Sequence, residues 1–198
     1  MNAYICQMID FPYDLVLLVG AGLFAGFINT MAGGGSLLTL PLLIFLGLPS
    51  ATANGTNRVA ILVATSSATL GFRSKKVNSF PFSLYLGGAA LMGALIGARI
   101  AIDIDGNLFN RILAIIMIVV VVLMVFKPNY NAIPTSAKTT GKTRIWSMVA
   151  FFFIGIYGGF INAGIGFIMM LFMNYVNRMD LIRVNATKVA VAFIYTTG

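Results

Sequence analysis

The sequence predicts an all-α integral membrane protein. It is expected to be an inverted repeat of helical spans, with short glycine-broken hairpin segments in each copy and an incomplete second repeat. Three observations carry this expectation. Hydrophobic residues make up 59% of the 198 residues and charged residues 9%, with a mean hydropathy of +0.95, far from the balance of a soluble domain. Gly22-Leu23-Phe24-Ala25-Gly26-Phe27-Ile28-Asn29 returns as Gly155-Ile156-Tyr157-Gly158-Gly159-Phe160-Ile161-Asn162. A second shared run follows each copy: Asn54–Ala60 begins 25 residues after the first Asn, and Asn185–Ala190 begins 23 after the second. Two ordered matches at nearly equal separation indicate duplication. Third, the basic residues cluster between apolar runs, the distribution of cytoplasmic membrane loops.

Taken in chain order, the first uncharged run, Leu15–Asn57, is too long for one segment. A single helix over 15–46 would reach about 48 Å at about 1.5 Å per residue, against a hydrocarbon core of about 30 Å. Gly33, Gly34 and Gly35 interrupt it, each costing about 1 kcal/mol relative to Ala in a helix interior. Segments 15–31 and 36–46 therefore form a hairpin of partial or tilted pieces meeting inside the membrane. Spans follow at 51–72, 80–101 and 108–126, then a polar loop, Lys127–Arg144, containing Pro128, Pro134 and Gly141. The second copy runs through 145–162, a short 165–176, and 184 onward. The organisation is thus a first repeat over 1–126, a basic cytoplasmic loop over 127–144 and a truncated second repeat over 145–198. Repeat symmetry expects about 58 further residues to complete it. No basic residue precedes Leu15 and no small-residue cleavage site ends a short apolar region, so the first segment is expected to stay in the mature chain.

Loop charge sets the orientation. With the acidic start (Asp10, Asp14) outside, the hairpin returns the chain to that side and the next span delivers Arg73, Lys75 and Lys76 inside. The following pair puts Asp103 and Asp105 outside and Lys127–Arg144 inside, and the second hairpin returns Arg178 and Arg183 inside. The second copy starts from the opposite face, so the repeats are expected to be inverted, an architecture associated with alternating access.

Composition excludes several chemistries. A net charge of +8 without a basic, aromatic-interleaved face argues against nucleic acid. The single Cys6 and the absence of His leave no disulfide and few ligands for a metal, and no cofactor is expected. The same poverty of acid–base groups argues against an enzyme.

The candidate chemistry lies at the break and in the second motif. Backbone N–H groups at the start of a half-helix near Ser36, approached over Gly33, Gly34 and Gly35, can hold an anion; the alternative is a plain tight turn. Gly164-Ile165-Gly166 stands at the corresponding place, with Phe167 where the first copy has Ser36. Arg58 and Lys188 occupy equivalent positions within apolar sequence, where a cation either faces a watery cavity or snorkels to the interface. Asn54, Thr56 and Asn57, with Asn185 and Thr187, either hydrogen-bond around the same cavity or cap helices. Asn29 and Asn162 either line the floor or satisfy freed backbone groups. The small-xxx-small pairs Gly22/Gly26, Gly93/Gly97 and Gly155/Gly159 read as helix packing. Met169, Met170 and Met173 read as packing or lipid-facing, Trp146 as an interfacial anchor, and Arg99 with Asp103 as a local ion pair.

The run GLFAGFINTMAGGGSLLTLPLLIFLGLPSATANGTNRVA, followed by the basic turn Arg73–Lys76 and the weaker second copy, resembles the sulfite exporter TauE/SafE family. In order it holds the glycine break, Pro41, Gly47-Leu48-Pro49 and Gly55-Thr56-Asn57. The resemblance implies an inner-membrane, multi-pass transporter of sulfite, sulfonates or related small organosulfur anions, longer than this chain. Its partners are then a small anionic substrate and the lipid bilayer, with a homo-oligomer left open. A non-transporting membrane scaffold or assembly subunit is the alternative, favoured if the repeat interface is dry and filled.

Overall fold

The computed structural model describes residues 13–77, 79–125 and 137–198. Cys6, Asp10, Lys127, Pro128 and Pro134, and most of the loop expected over 127–144, lie outside them.

Among the described residues all regular structure is helical: α1 (Tyr13–Ala32), α2 (Ser36–Phe45), α3 (Ser50–Ser74), α4 (Phe82–Asp103), α5 (Gly106–Val125), α6 (Lys142–Phe160), α7 (Ile165–Tyr175) and α8 (Leu181–Thr196). Phe82–Asp103, Gly106–Leu123 and Lys142–Phe160 are each long and apolar enough to cross a membrane; Val16–Ala32, Ser36–Phe45 and Ile165–Tyr175 are shorter apolar helices. With 10 and 11 residues, α2 and α7 extend about 15–17 Å, half a bilayer core, as expected of the short hairpin segments.

Local chemistry sets the boundaries. The first break turns at Gly33, whose φ of +76° is left-handed, and the second at Gly164, with φ +70°. Asp105 opens α5 by accepting from the Asn107 and Leu108 N–H groups at 3.0 and 3.3 Å, and Asp180 opens α8 by accepting from the Arg183 N–H at 2.7 Å. The single described ion pair, Arg183 with Asp180 at 3.6 Å, stands at that same exposed cap; Arg99 and Asp103 do not pair.

The main core joins α4 to the second copy, through Leu86, Ala90 and Phe151 with Met169 and Met173 of α7 and Val191 of α8. The α7 methionines are therefore packing residues, Met169 and Met173 being fully buried. A smaller core holds Leu40, Ala53, Phe109 and Leu113 against Ile161 and Ala163 in the second break. Trp146 is 70% exposed near the start of α6, where an interfacial anchor belongs.

Helix directions follow from paired contacts. A Cβ at Gly93 would strike the Phe152 carbonyl and one at Gly97 the Ile156 carbonyl, while Gly155 and Gly159 lie against Ala90 and Ala94. Both helices advance together, so α4 and α6 are parallel, backbone against backbone. In contrast, Ile61 and Thr65 of α3 share a cavity wall with Val189 and Ala192 of α8, and Thr69 shares another with Ala186. Sequence number rises along one helix as it falls along the other, making these two repeat-equivalent helices antiparallel.

Candidate functional site

The two glycine breaks meet. A Cβ on Gly33 would lie within 2.6 Å of backbone atoms of Gly166 and Phe167, and one on Gly166 would meet Gly33 in turn, so each glycine admits the other's backbone. Gly35 is closed off similarly by Ala25 and Asn29 of its own hairpin. Ser36 does not cap α2. Its hydroxyl donates to the Asn162 carbonyl at 2.6 Å and accepts from the Gly164 N–H at 3.2 Å, tying one break to the other. Ser36→Ala leaves two buried backbone groups unpaired, at roughly 1–3 kcal/mol each. A lowered unfolding midpoint in detergent micelles is the expected result, and an unchanged midpoint would show that this bridge does not join the breaks.

Each repeat's cation ends the other repeat's helix. Lys188, 2% exposed, donates from Nζ to the Asn29 and Thr30 carbonyls of α1 at 3.1 and 2.8 Å and to Asn185 Oδ1 at 2.8 Å. Arg58, half-buried, donates to the Gly158 carbonyl at 3.2 Å and to that of Gly159. Asn54 Nδ2, one turn earlier, donates to the Phe160 carbonyl at 3.0 Å, and the Ile161 N–H reaches Tyr157 at 2.8 Å. Thus all four last carbonyls of α6 have partners, and the Asn54–Arg58 spacing is that of a split helix cap. A positive charge at a helix C-terminus also meets the negative end of its dipole.

Two small cavities lie beside the breaks, the first between the repeats and the second walled by the first copy alone. One, of about 20 Å³, is bounded by Asn29, Ser36, Thr65, Asn162, Lys188 and Tyr195, and has room for about one water. The other, of about 60 Å³, shares Asn29 and Ser36 and adds Gly35, Asn57, Gly22 and Gly26. No acidic residue lines either. Asn162 Oδ1 accepts from the Tyr195 hydroxyl at 2.7 Å and Asn57 Oδ1 from Thr39 at 2.6 Å, so each amide nitrogen remains a buried donor without a partner. The unpartnered buried amide atom at each cavity is thus a donor.

The structure thus gathers Asn29, Gly35, Ser36, Asn57, Asn162 and Lys188 around the cavities. Gly34 is buried in the same turn, and Gly33 packs on the opposite break. Asn185 reaches the site only through Lys188. Asn54 and Arg58 serve the end of α6, Thr187 is fully buried with an unpaired hydroxyl outside both cavity walls, and Thr56 is exposed on the outside of α3. Gly22 and Gly26, expected to pack helices, instead border the larger cavity with nothing within 4 Å of an added Cβ. Sequence reasoning missed Thr65 and Tyr195. Tyr195 stands seven residues after Lys188, two turns along the same face, and that spacing was the available signal.

The family model described as Sulfite exporter TauE/SafE matches residues 18–198. The chain is 29% identical over 157 residues to "Probable membrane transporter protein ORF9" of a Sinorhizobium species, covering 79% of this chain and 59% of that one. It is 29% identical over 163 residues to a "Probable membrane transporter protein" of Haemophilus influenzae (82% and 63%), and 28% identical over 155 residues to "Probable membrane transporter protein YfcA" of Escherichia coli K12 (78% and 57%). The chain therefore spans about three-fifths of the length of these relatives. No solved structure matches it.

Proposed function

Because this chain belongs to the sulfite exporter TauE/SafE family, we propose that it forms the anion-handling part of a secondary transporter, carrying sulfite, a sulfonate or a similar small oxyanion across the cytoplasmic (inner) membrane. The observation that carries the reading is the small cavity between the repeats, where Asn162 Nδ2 is buried without an acceptor, the Lys188 ammonium stands in the wall, and no acidic residue lines it.

An oxyanion entering there exchanges its hydration for an amide donor and a positive charge, in a setting where such contacts are strong. Lys188 has already given its hydrogen bonds to two α1 carbonyls and Asn185. Turning toward the anion, it lets go of a helix end, so occupancy and helix movement are linked through one side chain. The antiparallel run of α3 and α8 and the crosswise helix ends support an in-plane two-fold relation between the repeats, the geometry alternating access uses. The cavities in this conformation are small, as in an occluded state.

The same smallness, with both cations engaged by carbonyls, favours a second reading: a membrane scaffold whose repeat interface only packs. Flux separates the two. The full-length gene product in sealed vesicles should move sulfite, thiosulfate or a short sulfonate down an imposed gradient, with sulfate as a fourth substrate. Assembly without flux of any of these selects the scaffold.

A further inference from the structure

Beside the central cavities lies a third of about 460 Å³, at the junction of α3, the turn after it and the start of α8. Its walls include Thr69, Arg73, Lys76, Ser79 and Ala186. Arg73 and Lys76 are exposed and neither has an ion-pair partner among the described residues. The turn holds them together: the Lys75, Lys76 and Val77 N–H groups return to the carbonyls of Gly71, Arg73 and Phe72 at 3.3, 3.0 and 3.1 Å. This closure leaves the end of α3 presenting two cations rather than bare carbonyls. Lys76 adopts φ +56° to complete the turn, a place usually given to glycine.

This pocket is one turn from the central site. Thr65 lines the small cavity and Thr69 the large one, and the Thr69 hydroxyl donates to the Thr65 carbonyl at 2.7 Å. On α8 the same step runs from Val189 to Ala186. We propose that the pocket is an oxyanion vestibule, in which Arg73 and Lys76 collect a small free oxyanion and deliver it along the α3–α8 seam to the central cavity. The inference rests on the anion-transporter reading and assigns its entrance. A recess lined by charges of one sign raises the local concentration of counter-ions by about tenfold or more.

The test is thiol accessibility, which needs no transport. In the full-length protein with Cys6→Ser, reconstituted in phosphatidylcholine, Thr69→Cys places a thiol in the vestibule wall. Relative to their rates with a free thiol, an anionic sulfonatoethyl methanethiosulfonate should outpace the cationic trimethylammonium reagent by about tenfold. Adding Arg73→Gln and Lys76→Gln should bring the ratio near unity, and millimolar methanesulfonate should slow the anionic reagent. Ser79→Cys gives the same readout should Thr69→Cys fail to fold. A ratio near unity before neutralisation, or one unmoved by it, overturns the vestibule. Protection by added phosphatidylglycerol but not by methanesulfonate would assign the cations to lipid headgroups and overturn it equally. Normal labelling without sulfite flux would instead sink the transporter reading.

Discussion

Lys188→Gln is expected to reduce anion flux by at least about 100-fold, equivalent to about 2.7 kcal/mol of lost stabilisation, and to destabilise the fold as well. The side chain is buried with four hydrogen-bond acceptors, two of them carbonyls at the end of α1. A glutamine amide is too short and lacks the charge, so the α1 end loses bonds worth roughly 1.5–3 kcal/mol each when the donor is charged. Arg58→Gln makes a useful partner experiment. Arg58 bonds the end of α6 but lines neither central cavity, so its loss should lower the unfolding midpoint while affecting flux less at matched amounts of folded protein. Counterflow in proteoliposomes, beside denaturation of the same preparations, checks both. Wild-type flux in Lys188→Gln would remove the cation from the anion path.

Gly155→Val with Gly159→Val should dismantle the α4–α6 pair. Even one added carbon at either position meets the backbone of Ala90 or Ala94. A helix backbone cannot yield as a flexible side chain does, and overpacking commonly costs about 1–3 kcal/mol per site before any branching is added. The equivalent first-copy substitutions, Gly22→Ala and Gly26→Ala, meet open space, and each should be neutral or stabilise α1 by roughly 0.5–1 kcal/mol. The contrast is the test: equal tolerance at both pairs, read from yield and monodispersity in detergent, would contradict the contact described between α4 and α6.

Apolar runs and glycine punctuation located every described helix to within a few residues, because membrane spans announce themselves by length and charge. Their ends were less legible. Segment 145–162 proves to be Lys142–Phe160 and the last begins at Leu181 rather than 184, since polar residues continue a helix past the hydrocarbon and Asp180 supplies a cap. The duplicated motifs singled out Asn54, Arg58, Asn162 and Lys188. They could not say which carbonyl Asn54, Arg58 or Lys188 would meet, because those partners lie a hundred or more residues away, in the opposite copy. Ser36 shows the limit most plainly. From its neighbours it reads only as the start of a half-helix, whereas its hydroxyl joins two breaks, bonding a residue 126 positions away.

The crosswise helix ends also bear on how the protein is made. During synthesis α1 enters the bilayer early, yet the ammonium that completes its end belongs to Lys188, 159 residues behind Asn29. Until α8 arrives, the Thr30 carbonyl has no described partner. Until then water or another protein has to serve that open end. The end of α1 is therefore completed only after α8 has been translated.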